Sequence, residues 1–408
     1  MEHFIQEITI EKLRHLSDIK ISLNKEKKQH LLLTGKNGSG KTSLLYAMKN
    51  YLQAINDGEL KVEYLNYLEV FKSELENVKG TSKEFQTVQQ YEPWKKMIRS
   101  YIDGVKIKFN YSDDLDNLYQ NGQFITVFFP AERKTKINKA HGVEEITLSS
   151  TYGINQQAGN LLLKYMVHLK TQQSYANNEG DSYIVKKIQA WFERFTKALK
   201  ILLDDESIEL IYNYKEYDFK IKAKGRNPFN FTQLSDGYSS LIHMVSELIL
   251  RMDGNWLLED KLSVYDKEGI VLIDELETHL HIELQRKILP FLVEFFPNLQ
   301  FIITTHSPFI LNSISNAKIY DLEKQEEFED FSAYSYSDIT EGYFDTEEYS
   351  EGLIEKLNGY KELAGKDNLL EDERAERAML RCELKNLSKE MAGTIRDAFE
   401  EIEHKKKG

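Results

Sequence analysis

The sequence predicts an α/β fold with a mixed, largely parallel β-sheet, on three observations. Residues 269–275 (GIVLIDE) and 299–306 (LQFIITTH) are continuous apolar runs rich in β-branched residues, as expected of parallel strands buried on both faces. The amphipathic stretch between them, IELQRKILPFLVEFF, predicts the crossover helix of a βαβ unit. Gly (21) and Pro (6) are scarce among the 408 residues, which favours long helices.

The composition limits the kinds of binding partner and the cellular compartment to be expected. Asp and Glu (66) outnumber Lys and Arg (53), and the net charge of -13 argues against a general nucleic-acid coat or a binder of anionic membranes. The single cysteine, Cys382, excludes an internal disulfide and a multi-cysteine zinc site, and its helical surroundings indicate an ordinary thiol. Without a signal-like N-terminus or an apolar run of spanning length, the sequence predicts a soluble, cytoplasmic protein with no membrane partner.

The pattern of apolar residues divides the chain into six segments. Residues 4–10, 18–23 and 30–34 read as the first three strands, and residues 123–130 (QFITVFFP) read as a further buried strand. The predicted segments are an N-terminal lobe at 1–60, a helical insertion at 61–118, a core strand and connecting loop at 119–150, a helical arm at 151–204, a C-terminal lobe at 205–335 and a charged helical tail, a hairpin, at 336–408.

A glycine-rich loop follows the strand at 30–34 and precedes a helical pattern. Residues 35–42 (GKNGSGKT) match G-x-x-x-x-G-K-[ST], in which backbone N–H groups surround a triphosphate, Lys41 reaches its β and γ phosphates, and Thr42 offers a hydroxyl to Mg²⁺. The alternative is a chance match in a turn. The predicted nucleotide-binding residues of this loop are Gly35, Asn37, Gly38, Ser39, Gly40, Lys41, Thr42 and Ser43.

Two carboxylates end the strand at 269–275, where ligands of parallel sheets bind. Asp274 is placed to hold Mg²⁺ together with Thr42, and Glu275 to polarise the attacking water. A solvated strand end is the structural alternative. An Asp-Glu pair beside a phosphate loop favours hydrolysis of ATP over binding alone.

Two further motifs lie in order with the first two. Leu234-Ser235-Asp236-Gly237 precedes a helix, and by itself indicates no more than an N-capping serine. His306 ends the strand that follows Glu275, where the alternative is a buried structural histidine. The first of these resembles the signature sequence of ABC-type ATPases, usually LSGGQ, and the second resembles their switch histidine.

With these four motifs in order, the chain resembles the ABC-type ATPases of the SMC, RecF and OLD branch. The stretch at residues 272–314 is similar to the compact ATPase subunits of bacterial anti-phage systems such as Septu and PARIS. The resemblance implies a P-loop ATPase head that binds ATP and Mg²⁺ and shares its site with a second copy in a homodimer or higher oligomer. It implies catalytic roles for Lys41, Glu275 and His306, and contacts from Ser235 and Gly237 to the partner's nucleotide.

One element of the family pattern is missing. The family has a glutamine after the third core strand, whereas this sequence has PAERK there, and Arg133 is the candidate substitute. His279 and His281 have metal-like spacing, yet they fall where the family's subunit-facing loop lies, which favours interface packing over a metal.

The resemblance leads to a first functional hypothesis and two alternatives. The first is a sensor and scaffold that controls a separately encoded toxin or nuclease and responds to a phage-encoded trigger. The second is a DNA-maintenance ATPase that clamps DNA, and the third a self-contained nuclease. No strand-end glutamate followed by Asp-x-Asp, the metal-binding pattern of TOPRIM nucleases, follows His306, so no intrinsic nuclease is predicted.

Two charged regions have open interpretations. The helical arm carries basic residues interleaved with aromatic ones, which fits either a local nucleic-acid patch or a solvated helix face. The acidic tail is either a solvated cap or a docking surface for a partner. The residues of the arm in question are Lys186, Lys187, Arg194, Lys197 and Lys200, with Trp191, Phe192 and Phe195.

Overall fold

The computed structural model divides into two compact units, Met1–Ala333 and Tyr334–Gly408, which are described separately. It describes residues 2–58, 70–71, 73–81, 83–102, 104–111, 115–133, 138–254, 266–343, 351–366, 368–387 and 393–405. The opening of the predicted insertion, residues 59–69, lies outside the described residues.

The secondary structure alternates strands and helices through most of the first unit. Its strands are β1 Ile5–Leu13, β2 Leu16–Ser22, β3 His30–Thr34, β4 Val105–Phe109, β5 Phe124–Phe129, β6 Glu209–Asn213, β7 Asp218–Lys222, β8 Phe229–Asn230, β9 Glu268–Ile273, β10 Leu299–Thr304, β11 Ala317–Asp321 and β12 Glu326–Phe328. The helices are α1 Lys41–Asn56, α2 Glu84–Ile102, α3 Leu115–Gln120, α4 Leu162–Glu179, α5 Ser182–Leu203, α6 Asp236–Met252, α7 Ile282–Phe295 and α8 Pro308–Leu311, and in the second unit α9 Tyr336–Asp338, α10 Glu351–Gly365, α11 Glu371–Lys385 and α12 Gly393–Lys405.

A six-stranded sheet forms the core, in the order β12-β11-β3-β10-β9-β5. Its strands are parallel except β12, which pairs antiparallel with β11. Every residue of β3 and β10 is buried, as the apolar runs predict for strands covered on both faces. The register aligns Ile303 with Ile273 and Thr304 with Leu33, so the carboxyl ends of β3, β9 and β10 lie side by side. The predicted mixed α/β sheet is confirmed.

A second, antiparallel sheet has the order β2-β1-β4. Its third strand, β4, corrects the prediction that residues 61–118 form a helical insertion throughout. The sequence VKIKF alternates apolar and charged residues, and it pairs with the equally alternating β1, where Ile107 lies opposite Ile8. A strand of five residues inside a long helical pattern carries too few repeats to be read from sequence.

One buried side chain joins the two sheets. Gln300 on β10 accepts a hydrogen bond from the Ile5 backbone N–H at its Oε1 (2.7 Å) and donates from Nε2 to the carbonyls of Ile5 (2.9 Å) and Gln29 (2.8 Å). Because both polar atoms of this buried amide have partners, the hydrogen bonds offset the cost of removing it from water. It holds β1 against the core strand that leads to His306.

The predicted helical arm packs on α6, the helix that follows the signature-like residues 234–237. On α5, the Trp191 Nε1 donates to Asp253 Oδ2 (2.6 Å), and the Trp191 ring stacks on Phe195 with 5.4 Å between centroids. Trp191, Phe195 and the amphipathic Lys187 are each no more than 1% exposed, and Phe192 is also buried. The reading of these aromatics as part of a nucleic-acid patch is therefore wrong in this respect, because they form core contacts and are closed to base stacking.

The described part of the second unit contains two α-helices besides the predicted hairpin, the short α9 and the longer α12. Helices α10 and α11 form the hairpin, and α12 packs on both around a small core of Tyr360, Leu384 and Phe399. Helix α12 was not predicted as a separate helix, because its apolar residues are few and lie between charged ones. Cys382 is an exposed free thiol on α11, as predicted. Among the described residues, no helix has the length and apolar content needed to cross a membrane.

Candidate nucleotide-binding and hydrolysis site

The loop after β3 has the backbone that a phosphate-binding loop needs. Gly35, Gly38 and Gly40 have φ angles of 123, 85 and 100°, which side chains other than hydrogen rarely allow. A Cβ on Gly35 would also lie 3.0 Å from the Oδ1 of Asp321 on β11. Helix α1 starts directly after Gly40, so the loop and the helix N-terminus form one anion-binding surface.

Lys41 lies buried at the start of α1, and its ammonium bridges the loop. The Nζ donates to the carbonyls of Gly35 (2.6 Å) and Lys36 (3.0 Å). Burial lowers the pKa of Lys41, while the nearby carboxylates of Glu275, Glu277, Asp274 and Asp321 oppose the shift. In the described part of the chain, the buried Oγ of Ser39 has no hydrogen-bond partner. A ligand rich in oxygen acceptors fits this loop.

The carboxylate at the end of β9 binds two hydroxyls. Asp274 Oδ1 accepts from Thr42 Oγ1 (3.2 Å) and from Thr304 Oγ1 (2.6 Å). Thr304 Oγ1 in turn accepts from the Glu275 backbone N–H (2.7 Å). A hydroxyl beside a carboxylate is a pair of hard oxygen ligands, so Thr42 and Asp274 fit Mg²⁺ as predicted. Sequence reasoning missed Thr304, although a polar residue at the end of an apolar strand was a usable signal.

Glu275 begins the turn that carries the remaining acidic groups. Its φ of 46° is left-handed, and its Oε2 accepts from the Thr278 hydroxyl (3.2 Å). Two residues on, Glu277 Oε1 accepts from the His306 backbone N–H (2.5 Å), a contact that sequence reasoning did not foresee. The turn thus joins the end of β9 to the loop after β10.

His306 keeps one ring nitrogen for a ligand. Its Nε2 is buried and has no hydrogen-bond partner among the residues that the structure describes. Burial, and after it the charge of Lys41, lowers the pKa of His306, against the opposing effect of Glu277 and Glu275. The imidazole is therefore neutral at pH 7 and can donate or accept at that nitrogen.

Arg133 holds the same turn from the other side. One guanidinium nitrogen, Nη2, donates to the carbonyls of Asp274 (2.8 Å) and Glu275 (2.8 Å). Burial lowers the pKa of Arg133 to about 10, so the side chain remains cationic at pH 7. The residue that the sequence singled out in place of glutamine thus contacts the backbone of Asp274, the predicted metal ligand, and of Glu275, the predicted catalytic carboxylate.

The signature turn lies at the start of α6, and its two key residues differ in exposure. Ser235 is the N-cap residue, but it is exposed and its hydroxyl makes no capping hydrogen bond. Gly237 is buried, and a Cβ there would lie 2.4 Å from the His279 carbonyl oxygen. Within the described residues, no hydrogen bond joins Ser235 to the phosphate loop or to Asp274.

The structure therefore brings most, but not all, of the predicted residues together. Lys41, Thr42, Asp274, Glu275 and His306 share one edge of the sheet, whereas Ser235 and Gly237 pack against the segment that follows Glu275. The other residues differ in exposure: Asn37, Gly38, His279 and His281 are exposed, and Ser43 is half-buried. Across the described ranges, no cluster of three or more His, Cys, Asp or Glu residues forms a metal site.

A parallel sheet with a phosphate loop after one strand and Asp-Glu after its near neighbour defines the class of P-loop NTPases. The family model described as "AAA domain, putative AbiEii toxin, Type IV TA system" matches residues 31–312, which is more than half of the chain. The chain belongs to this family.

The curated relatives agree with the predicted resemblance. The chain is 23% identical to the Septu protein PtuA of Bacillus mycoides (strain KBAB4) over 80% of this chain and 42% of that protein. It is 28% identical to the Retron Vc95 probable ATPase of Vibrio cholerae serotype O1 biovar El Tor, over 59% of this chain and 44% of the relative. The chain thus spans less than half the length of the relatives it matches. The resemblance to ATPases of the Septu kind is confirmed.

Solved structures with a similar course of the chain include an SmcHead bound to the C-winged helix domain of ScpA. That match has a TM-score of 0.39 and 12% identity, and covers 78% of this chain and 94% of that one. A nucleotide-free ATP-binding cassette from an ABC transporter matches with a TM-score of 0.32 and 16% identity, over 78% and 87% of the two chains.

Proposed function

We propose that this protein binds ATP with Mg²⁺ and hydrolyses the ATP. The observation that carries the proposal is the hydrogen-bonded chain from Thr42 through Asp274 and Thr304 to the backbone of Glu275. The phosphate loop and Lys41 would hold the phosphates, and Thr42 and Asp274 the Mg²⁺. When bound, the metal ion offsets negative charge on the phosphates.

Three side chains of the same chain would take part in the reaction. The Glu275 carboxylate, oriented by Thr278, would position the attacking water and accept its proton. The free Nε2 of His306 would donate to the terminal phosphate and stabilise charge that builds up there. Arg133 keeps the Asp274–Glu275 backbone in place through its two carbonyl contacts, so it is a positioning residue.

We further propose that two copies form each complete site. The exposed Ser235, which leaves its own helix uncapped, has a hydroxyl and a helix N-terminus for a phosphate held elsewhere. A two-fold symmetric dimer would place this turn against the partner's phosphate loop, and the reverse contact would follow by symmetry.

The relatives support a role in anti-phage defence, in a Septu-like or retron-like system. In this proposal the ATPase is a sensor and scaffold, and ATP-driven closure controls a separately encoded nuclease or toxin. The alternative is a clamp on DNA, and base stacking on the aromatic residues of α5 would not contribute to it, because those residues are buried.

The experiment traps the closed state. Glu275→Gln, which is expected to bind ATP without hydrolysing it, is expressed with its neighbouring genes, purified under Mg-ATP and analysed by native mass spectrometry. The matched control carries Lys41→Ala as well, which removes nucleotide binding. We expect a stoichiometric nuclease-like or toxin-like protein with the single variant, and less of it with the control.

Two outcomes would contradict the defence proposal. DNA without a protein partner would favour the clamp. A multimer that carries neither protein nor DNA would remove the scaffold role, while ATP turnover by the wild-type chain would still test the enzymatic part separately.

A further inference from the structure

A second cavity of about 220 Å³ lies beside the hydrolysis site and is separate from it. Its walls come from α1, from the end of β5 and from α6, and none of the phosphate-loop residues lines it. The lining residues that matter here are Tyr46, Lys49, Phe128, Arg133, His243 and Glu247. Three of these six carry nitrogen atoms that the fold leaves without acceptors.

Lys49 is the first of these groups. Its Nζ lies 5.4 Å from the ring centroids of both Tyr46 and Phe128, and it forms no ion pair within the described ranges. The rings are packed edge to face with 4.9 Å between centroids. An ammonium over aromatic faces is partly stabilised but keeps hydrogens for an anion. Burial lowers the pKa of Lys49, which a bound anion would counteract.

Arg133 and His243 are the other two groups. In the part of the chain that the structure describes, the Nε of Arg133 and the Nδ1 of His243 are buried without a hydrogen-bond partner. His243 is 7% exposed and lines the cavity. A buried polar atom without a partner costs free energy, which is recovered when a ligand supplies the acceptor.

The acidic residues of the wall have surroundings of their own. Each oxygen of Glu247 accepts a hydrogen bond, Oε1 from Arg251 Nε (2.6 Å) and Oε2 from the Gly159 backbone N–H (2.5 Å). Glu132, the other acidic residue of the wall, is exposed to solvent. The cavity therefore brings together two cationic side chains and three nitrogen atoms that have no hydrogen-bond partner among the described residues: Lys49 Nζ, Arg133 Nε and His243 Nδ1.

We propose that this cavity binds a small phosphate-bearing molecule, held by Lys49, Arg133 and His243. Its volume is below the range of drug-sized pockets, which limits the ligand to inorganic phosphate or a small phosphate ester. The site goes beyond the proposed function, because no residue assigned to nucleotide binding lines it. Arg133 also holds the backbone of Asp274 and Glu275, so occupancy of the cavity would be coupled to the geometry of the hydrolysis site.

The test uses the full chain with Lys41→Ala, which disables phosphate binding at the P-loop. Inorganic phosphate, ribose 5-phosphate and acetate are titrated by calorimetry, and the histidine ring signals are followed by NMR. We expect one phosphate site, a shifted His243 signal, and a loss of affinity of about tenfold or more when Lys49→Ala is added. Lys215→Ala is the matched control, since the Lys215 Nζ lies over the exposed Tyr214 ring (5.9 Å) away from the cavity, and it should change nothing.

The probes separate the sources of the phosphate group. Tighter binding of ribose 5-phosphate than of inorganic phosphate would indicate an ester, and the reverse would indicate free phosphate. If Lys49→Ala impairs folding in a thermal melt, His243→Gln replaces it. The proposal is overturned if Lys41→Ala binds no phosphate, if neither cavity variant weakens binding, or if acetate binds equally well. None of these three results would contradict the proposed ATPase function, which is tested separately by measuring ATP turnover of the wild-type chain.

Discussion

The phosphate loop and the signature turn both lead into the N-terminus of a long helix, but the two treat their polar groups in opposite ways. At the loop, the Lys41 ammonium is buried and bonded to two carbonyls of the loop itself. At the turn, Ser235 is exposed and does not cap its own helix. The polar group of the loop is bonded within the chain, whereas that of the turn is exposed, and we propose that it contacts a phosphate held by a second copy.

The contrast teaches how a site can be divided between two molecules. In the proposed function the loop edge holds a metal and several phosphate oxygens at once, which requires a precise internal arrangement. The turn needs only a rigid base, and the close contact of Gly237 with the His279 carbonyl supplies it. That contact also links the turn to the segment that follows Glu275, so the two edges of one chain are mechanically connected.

The largest expected effect is a difference in ATP binding between a variant of the phosphate loop and a variant of the signature turn. Lys41→Ala should abolish both ATP binding and turnover, because it removes the charge at the centre of the loop. Ser235→Ala should lower turnover by about 100-fold, the usual effect of removing one transition-state donor, and leave ATP binding by the single chain intact. Filter binding of labelled ATP and a phosphate-release assay measure the two quantities. Loss of ATP binding in Ser235→Ala would break the comparison.

A smaller effect tests the rigid base of the turn. Gly237→Ala places a methyl group 2.4 Å from the His279 carbonyl oxygen, so the backbone must move. We expect turnover to fall about tenfold and the free energy of unfolding to drop by about 1–3 kcal/mol, as for other overpacked sites. Urea denaturation and steady-state turnover are the measurements. Gly142→Ala, where no atom lies within 4 Å of the added Cβ, is the control and should behave as wild type.

The smallest effect concerns stability in acid at the start of β3, the end of that strand away from the phosphate loop. His30 on β3 accepts the Phe301 backbone N–H at its Nδ1 (3.1 Å), which requires the neutral ring, and burial, followed by the charge of Lys28, lowers its pKa from 6.5 to about 4. Because the unfolded chain takes up the proton first, the contribution of His30 is complete above pH 6.5 and is lost as pH falls towards 4. Between pH 7 and 5 this amounts to about 2 kcal/mol.

Urea denaturation at the two pH values measures this loss. His30→Asn, whose Oδ1 can accept the same hydrogen bond without titrating, should show a smaller decrease between pH 7 and 5 than wild type. His281→Asn, at an exposed site, should retain the full decrease. An unchanged pH dependence in His30→Asn would assign the acid sensitivity to other groups.

The parts of the molecule that sequence predicted are those with a local pattern. These parts are the strands β9 and β10, the phosphate loop and the pair Asp274-Glu275. Each is a short continuous stretch of sequence, and its pattern follows from burial or from the φ angles of single residues. Thr304 is different, because its role depends on β10 pairing beside β9. Strand β4 was missed for a related reason, because it is defined by pairing with β1, far away in the chain. Helix α12 was missed because its few apolar residues lie between charged ones.

The role of Arg133 could be predicted only in part from the sequence. The sequence marked the residue because the expected glutamine was missing, but only the structure shows that it binds the carbonyls of Asp274 and Glu275. The partial burial of a donor-rich cavity around the same residue had no signal in the sequence, since Lys49, Arg133 and His243 lie far apart in the chain.

The most direct test of the divided site is a complementation of two inactive variants. The Ser235→Arg variant keeps an intact phosphate loop and Glu275, and the Glu275→Gln variant keeps an intact signature turn. A mixed dimer therefore contains one complete site, formed by the loop of the first and the turn of the second. Each variant alone should show no ATP turnover, and an equal mixture should recover about a quarter of the wild-type rate if dimers form at random. A mixture as inactive as its components, with mixed dimers demonstrated by mass, would contradict a site shared between two copies.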